Sequence, residues 1–126
     1  MALNILIIDD SAIVRKVLTK TIKMADVSVD QIHQAANGEE GLTQVAEHAV
    51  DLIFLDINMP TMNGMEFMRR LREMEGKAEI PVIVVSTEGS KDRRDELFAL
   101  GIKAFMRKPI TPEEFAEVVH QVLEEE

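Results

Sequence analysis

Three carboxylates, two hydroxyls and one ammonium stand where short apolar runs of this sequence end. The run at residues 5–8 leads into Asp9-Asp10, Leu52–Leu55 leads into Asp56, and 82–85 leads into Ser86-Thr87. A looser segment, Ala104–Arg107, precedes Lys108-Pro109. If these groups share one edge, two carboxylates ~4 Å apart repel by about 4 kcal/mol at an effective dielectric near 20, so the set needs a cation. Oxygen donors unaccompanied by His or Cys favour a hard divalent ion, Mg²⁺ or Mn²⁺. The chain has no cysteine, so neither a thiol nucleophile nor a thiolate metal site is available to it.

The apolar runs are four residues long and rich in β-branched or aromatic side chains. They are too short for helices and fit strands buried on both faces of a parallel sheet. Segments 32–35 and 104–107 are half polar, which suits the two outer strands, where one side meets water. Helical patterns lie between them. Ser11 is a candidate N-cap for a helix with a Val14, Val17, Leu18, Ile22 stripe. Gly38–Glu47 carries Leu42, Val45 and Ala46, while Met65, Met68 and Leu71 mark a third helix closed by Gly76. Leu97, Phe98 and Leu100 precede Gly101, which is suited to the position just after a helix. Thr111-Pro112-Glu113-Glu114 reads as a capping box before an apolar stripe at Phe115, Val118, Val119, Val122 and Leu123. Glu124, Glu125 and Glu126 oppose the helix dipole, so that end is expected to fray. Five strand–helix alternations imply one α/β domain over 1–126, doubly wound with right-handed crossovers and no appended effector domain. In such sheets ligands bind outside the carboxyl ends of the strands, where the polar groups above would meet.

With 126 residues, 14 Lys plus Arg and 23 Asp plus Glu, the formal charge is −9. That balance disfavours nonspecific DNA binding, which draws on a basic face. No apolar run approaches the ~20 residues of a membrane span, and the N-terminus lacks a basic n-region, so membrane insertion and a signal peptide are not expected and a cytoplasmic location is.

The segments that carry the polar groups are Ile-Leu-Ile-Ile-Asp-Asp-Ser (5–11), Ala-Asn-Gly-Glu-Glu-Gly-Leu (36–42), Asp-Leu-Ile-Phe-Leu-Asp-Ile-Asn-Met-Pro-x-Met-x-Gly (51–64), Pro-Val-Ile-Val-Val-Ser (81–86) and Lys108-Pro109. In that order, across essentially the whole chain, they resemble the receiver domain of two-component response regulators, most closely its stand-alone chemotaxis form. The resemblance implies a flavodoxin-like (βα)5 fold with strand order 2-1-3-4-5. It implies that Asp56 accepts a phosphoryl group from a histidine kinase. Asp10, Asp56 and the backbone carbonyl of Asn58 would hold Mg²⁺ directly, with Asp9 acting through water. Lys108 would pair with the phosphoryl group, and its bond to Pro109 would be cis. Ser86 and Phe105 would form the switch that remodels the surface of the fourth helix, fifth strand and fifth helix. A downstream protein would read that surface, either the flagellar motor switch or a phosphotransfer protein. No catalysis is expected beyond the chain's own aspartyl phosphorylation and dephosphorylation, and a monomer is expected.

Departures from the family pattern lie at Ser86, where Thr is common, at Phe105, where Tyr is frequent, and at Thr87, where Ala is frequent. Thr87, Glu88 and Pro109 are expected beside the site, with Asn58 and Glu88 tuning the phosphoryl lifetime. Plainer readings apply elsewhere. Asp51 is expected to be a strand entrance, and Met59, Met62, Met65 and Met68 to be packing residues. His33, His48 and His120 are expected to be ordinary histidines, one on an edge strand and two on helices. Arg69-Arg70-Arg72 and Arg93-Arg94 are expected to be solvated helix faces. Two other classes compete: an aspartate-nucleophile phosphatase, whose Asp-x-Asp-x-Thr signature is absent here, and a phosphorylation-independent binding module, in which loss of an acid or of Lys108 would be expected.

Overall fold

The computed structural model describes residues 2–57, 62–87 and 90–124. Among them β1 (Leu3–Ile8), β2 (Val29–Ala35), β3 (Leu52–Leu55), β4 (Val82–Ser86) and β5 (Ala104–Arg107) alternate with α1 (Ala12–Met24), α2 (Gly38–Glu47), α3 (Gly64–Glu73), α4 (Lys91–Ala99) and α5 (Pro112–Glu124). The strands form one parallel sheet in the order β2-β1-β3-β4-β5. The half-polar strands are the outer two, as expected. β2 begins three residues earlier than the sequence reading had it, because exposed Asp30 and Gln31 break the apolar pattern without breaking the ladder to β1.

Side-chain alternation divides the core. Leu6, Ile8, Ile53, Leu55, Val82 and Val84 face α2, α3 and α4 and pack on Val45, Phe67, Met68, Leu71 and Leu97. Ile5, Ile7, Leu52, Phe54, Ile83 and Val85 face α1 and α5 and pack on Leu18, Ile22, Phe115, Val119 and Val122. Full burial of such side chains contributes about 1.5–3 kcal/mol each, and the resulting two-sided core holds the strand ends in register. Met62 and Met68 are buried and Met65 packs against the same cluster, in keeping with a packing role; Met59 lies outside the described residues.

The helix starts carry side-chain caps, at Ser11 and Thr111 as the sequence predicts and at Asn63 and Ser90 besides. Ser11, Asn63 and Ser90 accept hydrogen bonds from N–H groups of the first turns of α1, α3 and α4. Thr111 Oγ1 accepts from Glu114 N–H at 3.1 Å. Gly101 follows the cap of α4 with φ +102, a left-handed conformation that favours glycine. α3 ends at Glu73 with Met74 as its cap, and Gly76 lies in the turn beyond. α5 runs to Glu124, whereas Glu125 and Glu126, on which the fraying expectation mostly falls, lie outside the described residues.

The apolar stripe of α1 is not buried throughout: Val17 is 56% exposed beside Ile13 at 77%. Two expectations are corrected. Arg72 is no solvated arginine. Its Nε and Nη2 donate to the Leu100 and Gly101 carbonyls at 3.2 and 2.7 Å, and Nη1 donates to Ala78. The guanidinium thereby satisfies carbonyls at the end of α4 and ties them to the loop after α3. Arg69 and Arg70 do behave as surface residues, pairing with Glu66.

His48 is the C-cap of α2 and not a helical residue, and its ring stacks on that of His33 in β2 with centroids 4.2 Å apart. Burial, together with repulsion from His48, holds His33 below the ordinary histidine value of 6.5. The unfolded chain therefore takes the proton first. The stability this ring contributes is fully present above about pH 6.5 and is lost as pH falls through the window below it. His33→Asn is expected to flatten that part of the pH dependence, read as a smaller change in urea midpoint between about pH 7.5 and 5.5 than the parent shows.

Candidate functional site

The register of the central strands places the polar groups together. Ile8 lies opposite Leu55, and Leu55 opposite Val84, so Asp9 and Asp56 leave neighbouring strands at one level. Backbone bonds extend the ladder one step beyond the strands. Asp56 N–H donates to the Ile8 carbonyl at 2.9 Å, Asp9 N–H to Ala35 at 3.1 Å, and Lys108 N–H to Ser86 at 3.0 Å. Ser86 itself is the last residue of β4, paired with Arg107, one residue further into the sheet than the sequence suggested. The Lys108–Pro109 peptide bond is cis.

Asp9, Asp10 and Asp56 each offer a carboxylate oxygen, and these atoms lie within 4.8 Å of one another. Asp9 and Asp56 are 2% and 9% exposed, whereas Asp10 faces solvent. Three carboxylates this close, two of them largely removed from water, repel strongly. Among the described residues Lys108 supplies a counter-charge, its Nζ 2.8 Å from Asp9 Oδ2. The other Asp9 oxygen accepts from Ser11 N–H at 2.9 Å, so both oxygens of Asp9 are occupied by the protein. The all-oxygen donor set and its spacing fit a hard divalent cation.

Sequence reasoning overlooked Arg15. Its Nη1 donates to the Asp9 carbonyl at 2.6 Å and its Nε to Gln34 Oε1 at 3.1 Å. That bridge from α1 to β2 fixes the turn carrying the two acids; the available signal was a cation less than two helical turns after an acidic pair. Arg107 is a second omission, donating to the Thr87 carbonyl at 3.3 Å and bracing the start of the β4–α4 loop. Thr87 and Pro109 join Lys108, Ile13, Val14 and Val17 around an apolar groove of about 310 Å³. Asn58 and Glu88 lie outside the described residues.

Gly64 opens α3 against the backbone that leaves β3. A Cβ there would stand 2.8 Å from Ile57 Cα and 3.1 Å from the Asp56 carbonyl oxygen. Since neither is a flexible side-chain end, Gly64→Ala is expected to cost about 1–3 kcal/mol, measured by urea unfolding, and to displace Asp56 from the acidic cluster.

Comparison with known proteins agrees with this arrangement. The sequence profile of the response regulator receiver domain matches residues 5–120. A chemotaxis protein CheY homolog of Campylobacter jejuni is 29% identical over 122 residues, covering 96% of this chain and 92% of the homolog. A protein-glutamate methylesterase/protein-glutamine glutaminase of Koribacter versatilis is 35% identical over 82% of this chain. The chain spans only 27% of that protein's length, and 7% and 30% of two other relatives. The solved structure of chemotaxis protein CheY4 of Vibrio cholerae superposes with a TM-score of 0.86 at 29% identity, covering 97% of this chain and 99% of CheY4. No described helix is long and apolar enough to cross a membrane. Profile, relatives and topology agree, and the chain belongs to the response regulator receiver domain family, in its CheY-like form, of two-component signalling.

Proposed function

We propose that this receiver accepts a phosphoryl group on Asp56 in a reaction that depends on Mg²⁺, and that the modified site alters its α4-β5-α5 surface for a protein partner. The observation that carries the reading is the meeting of Asp9, Asp10 and Asp56 within 4.8 Å at the edge where Lys108 Nζ also lies. An Asp56 carboxylate oxygen attacks the phosphorus held on a kinase histidine. The P–N bond breaks, its electron pair stays on the imidazole nitrogen, and an aspartyl phosphate remains. A bound Mg²⁺ supplies charge neutralisation for the phosphoryl oxygens. Asp10 and Asp56, with the Asn58 carbonyl, are the assigned ligands; Asp9, whose oxygens are already engaged, is assigned a water-mediated role.

Lys108 stands as a point charge one hydrogen bond from Asp9 and within the same cluster, suited to pair with an added phosphoryl oxygen. Ser86 is 1% exposed at the end of β4, and Phe105 lies on the neighbouring strand, which supports their assignment as the switch. The exposed Ile13 and Val17 beside the groove at Pro109 offer an apolar surface next to the acceptor. For output we favour a protein over DNA, given the −9 charge; the motor switch and a phosphotransfer protein are the two candidates.

Acetyl phosphate with Mg²⁺ is expected to add one acid-stable, base-labile phosphoryl group, seen by intact mass, and excess EDTA is expected to prevent it. Labelling that persists in EDTA would overturn the Mg²⁺-dependent assignment. No adduct under either condition would leave the binding-module reading in its place.

A further inference from the structure

Among the described residues, the Arg94 guanidinium on α4 is held by no carboxylate, since the helix's own Asp95 pairs with Lys91 at 3.9 Å. Its carbon lies instead 5.8 Å from the centre of the Phe105 ring. That separation is within cation–π range. The ring belongs to β5, where Phe105 stands opposite Val84 and packs against the core on the α2–α4 side. Val84 and Ser86 are two residues apart on β4 and so point to the same side of the sheet. Guanidinium, ring and Ser86 therefore follow one another across one face, from the solvent edge of α4 toward the acidic cluster.

A phenylalanine has no hydroxyl with which to anchor itself. The negative face of its ring is the electrostatic handle by which a cation can hold it. Rotation about χ1 swings that face away from a fixed cation and forfeits the attraction. We propose that Arg94 is a positioning residue that holds the Phe105 ring in its resting orientation and thereby sets the threshold for the switch at Ser86. The proposal rests on the reading of Ser86 and Phe105 as the switch.

An exposed cation–π contact shifts a two-state equilibrium by about 2–5-fold, equivalent to roughly 0.5–1 kcal/mol. Linkage carries the same factor to any ligand that prefers the other ring orientation. Arg94→Met keeps the aliphatic length and the helix propensity and removes the charge. Arg94→Lys keeps the charge, in a compact and more strongly hydrated form.

The test is a titration of the full chain with beryllofluoride and Mg²⁺, read by NMR of ¹³C-labelled phenylalanine rings. In the parent, the Phe105 resonance is expected to move on saturation. In Arg94→Met it is expected to start part of the way to the saturated position, with a midpoint lowered about 2–5-fold; Arg94→Lys is expected to fall between the two. A responsive parent ring with an unchanged Arg94→Met midpoint overturns the role of Arg94 while leaving the switch intact. A parent ring that ignores saturating beryllofluoride overturns the switch reading and the threshold with it.

Discussion

Asp56→Asn is expected to abolish labelling by acetyl phosphate and, in the same step, to make the metal-free protein more stable. The first effect is chemical, because an amide oxygen is a poor nucleophile toward phosphorus and the acyl phosphate cannot form on it. The second is electrostatic. Ligand atoms within 4.8 Å repel by ~3 kcal/mol per pair at an effective dielectric of about 20, and by ~1 kcal/mol in bulk water. With Asp10 open to solvent and Asp9 paired with Lys108, a gain of about 1–2 kcal/mol lies inside those limits. The measurement is urea unfolding in EDTA, with labelling followed by mass on the same samples. Mg²⁺ is expected to stabilise the parent more than the variant, narrowing the gap. A variant that still labels removes Asp56 from its role, and a variant destabilised in EDTA removes the repulsion argument.

Lys108→Met is expected to have the largest cost to stability. The Asp9 and Lys108 side chains are 3% and 17% exposed and 2.8 Å apart. Removing one partner of a buried pair leaves an uncompensated charge and costs about 3–5 kcal/mol. The expected loss lies toward the lower figure, because Ser11 N–H still serves one Asp9 oxygen. Mg²⁺ offers a substitute counter-charge, so the deficit measured in EDTA is expected to shrink when the cation is added. Stabilisation by mass action reaches about 2.7 kcal/mol at one hundred times the dissociation constant. Labelling is expected to fall even where the fold is restored, since the ammonium suited to pair with the phosphoryl group is gone. A loss below about 1 kcal/mol would show that Asp9 is held adequately without the lysine.

Much of the fold was legible because the buried strands are written as continuous apolar runs and two of the helix starts as the Ser11 and Thr111 caps. The meeting of Asp9, Asp10, Asp56 and Lys108 was legible for the same reason. Each follows a recognisable strand, and a parallel sheet brings all such ends to one edge. Arg72, Arg15 and the His33–His48 stack were not. Arg72 and the two histidines find carbonyls or a ring supplied by other elements, which local residue spacing does not record, whereas Arg15 had a weak signal in its closeness to the acidic pair. Arg72 illustrates the point. Its sequence neighbours are arginines paired at the surface, while two of its three partners lie 28 and 29 residues away. Val17 differs, because helical periodicity identifies an apolar face without stating how much of it a neighbour covers.

The Asp9–Lys108 hydrogen bond joins residues 99 positions apart. At a synthesis rate of roughly 5–20 residues per second, the acids of β1 leave the ribosome about 5–20 s before the lysine that neutralises them. Until β5 docks, a nascent chain holding the first three strands in native order would concentrate negative charge at one rim with no ammonium to offset it. Neutralisation of the acidic cluster by Lys108 is thus a late event of biosynthesis. Intracellular cations, or simple delay in closing that rim, must tide the growing polypeptide over the interval.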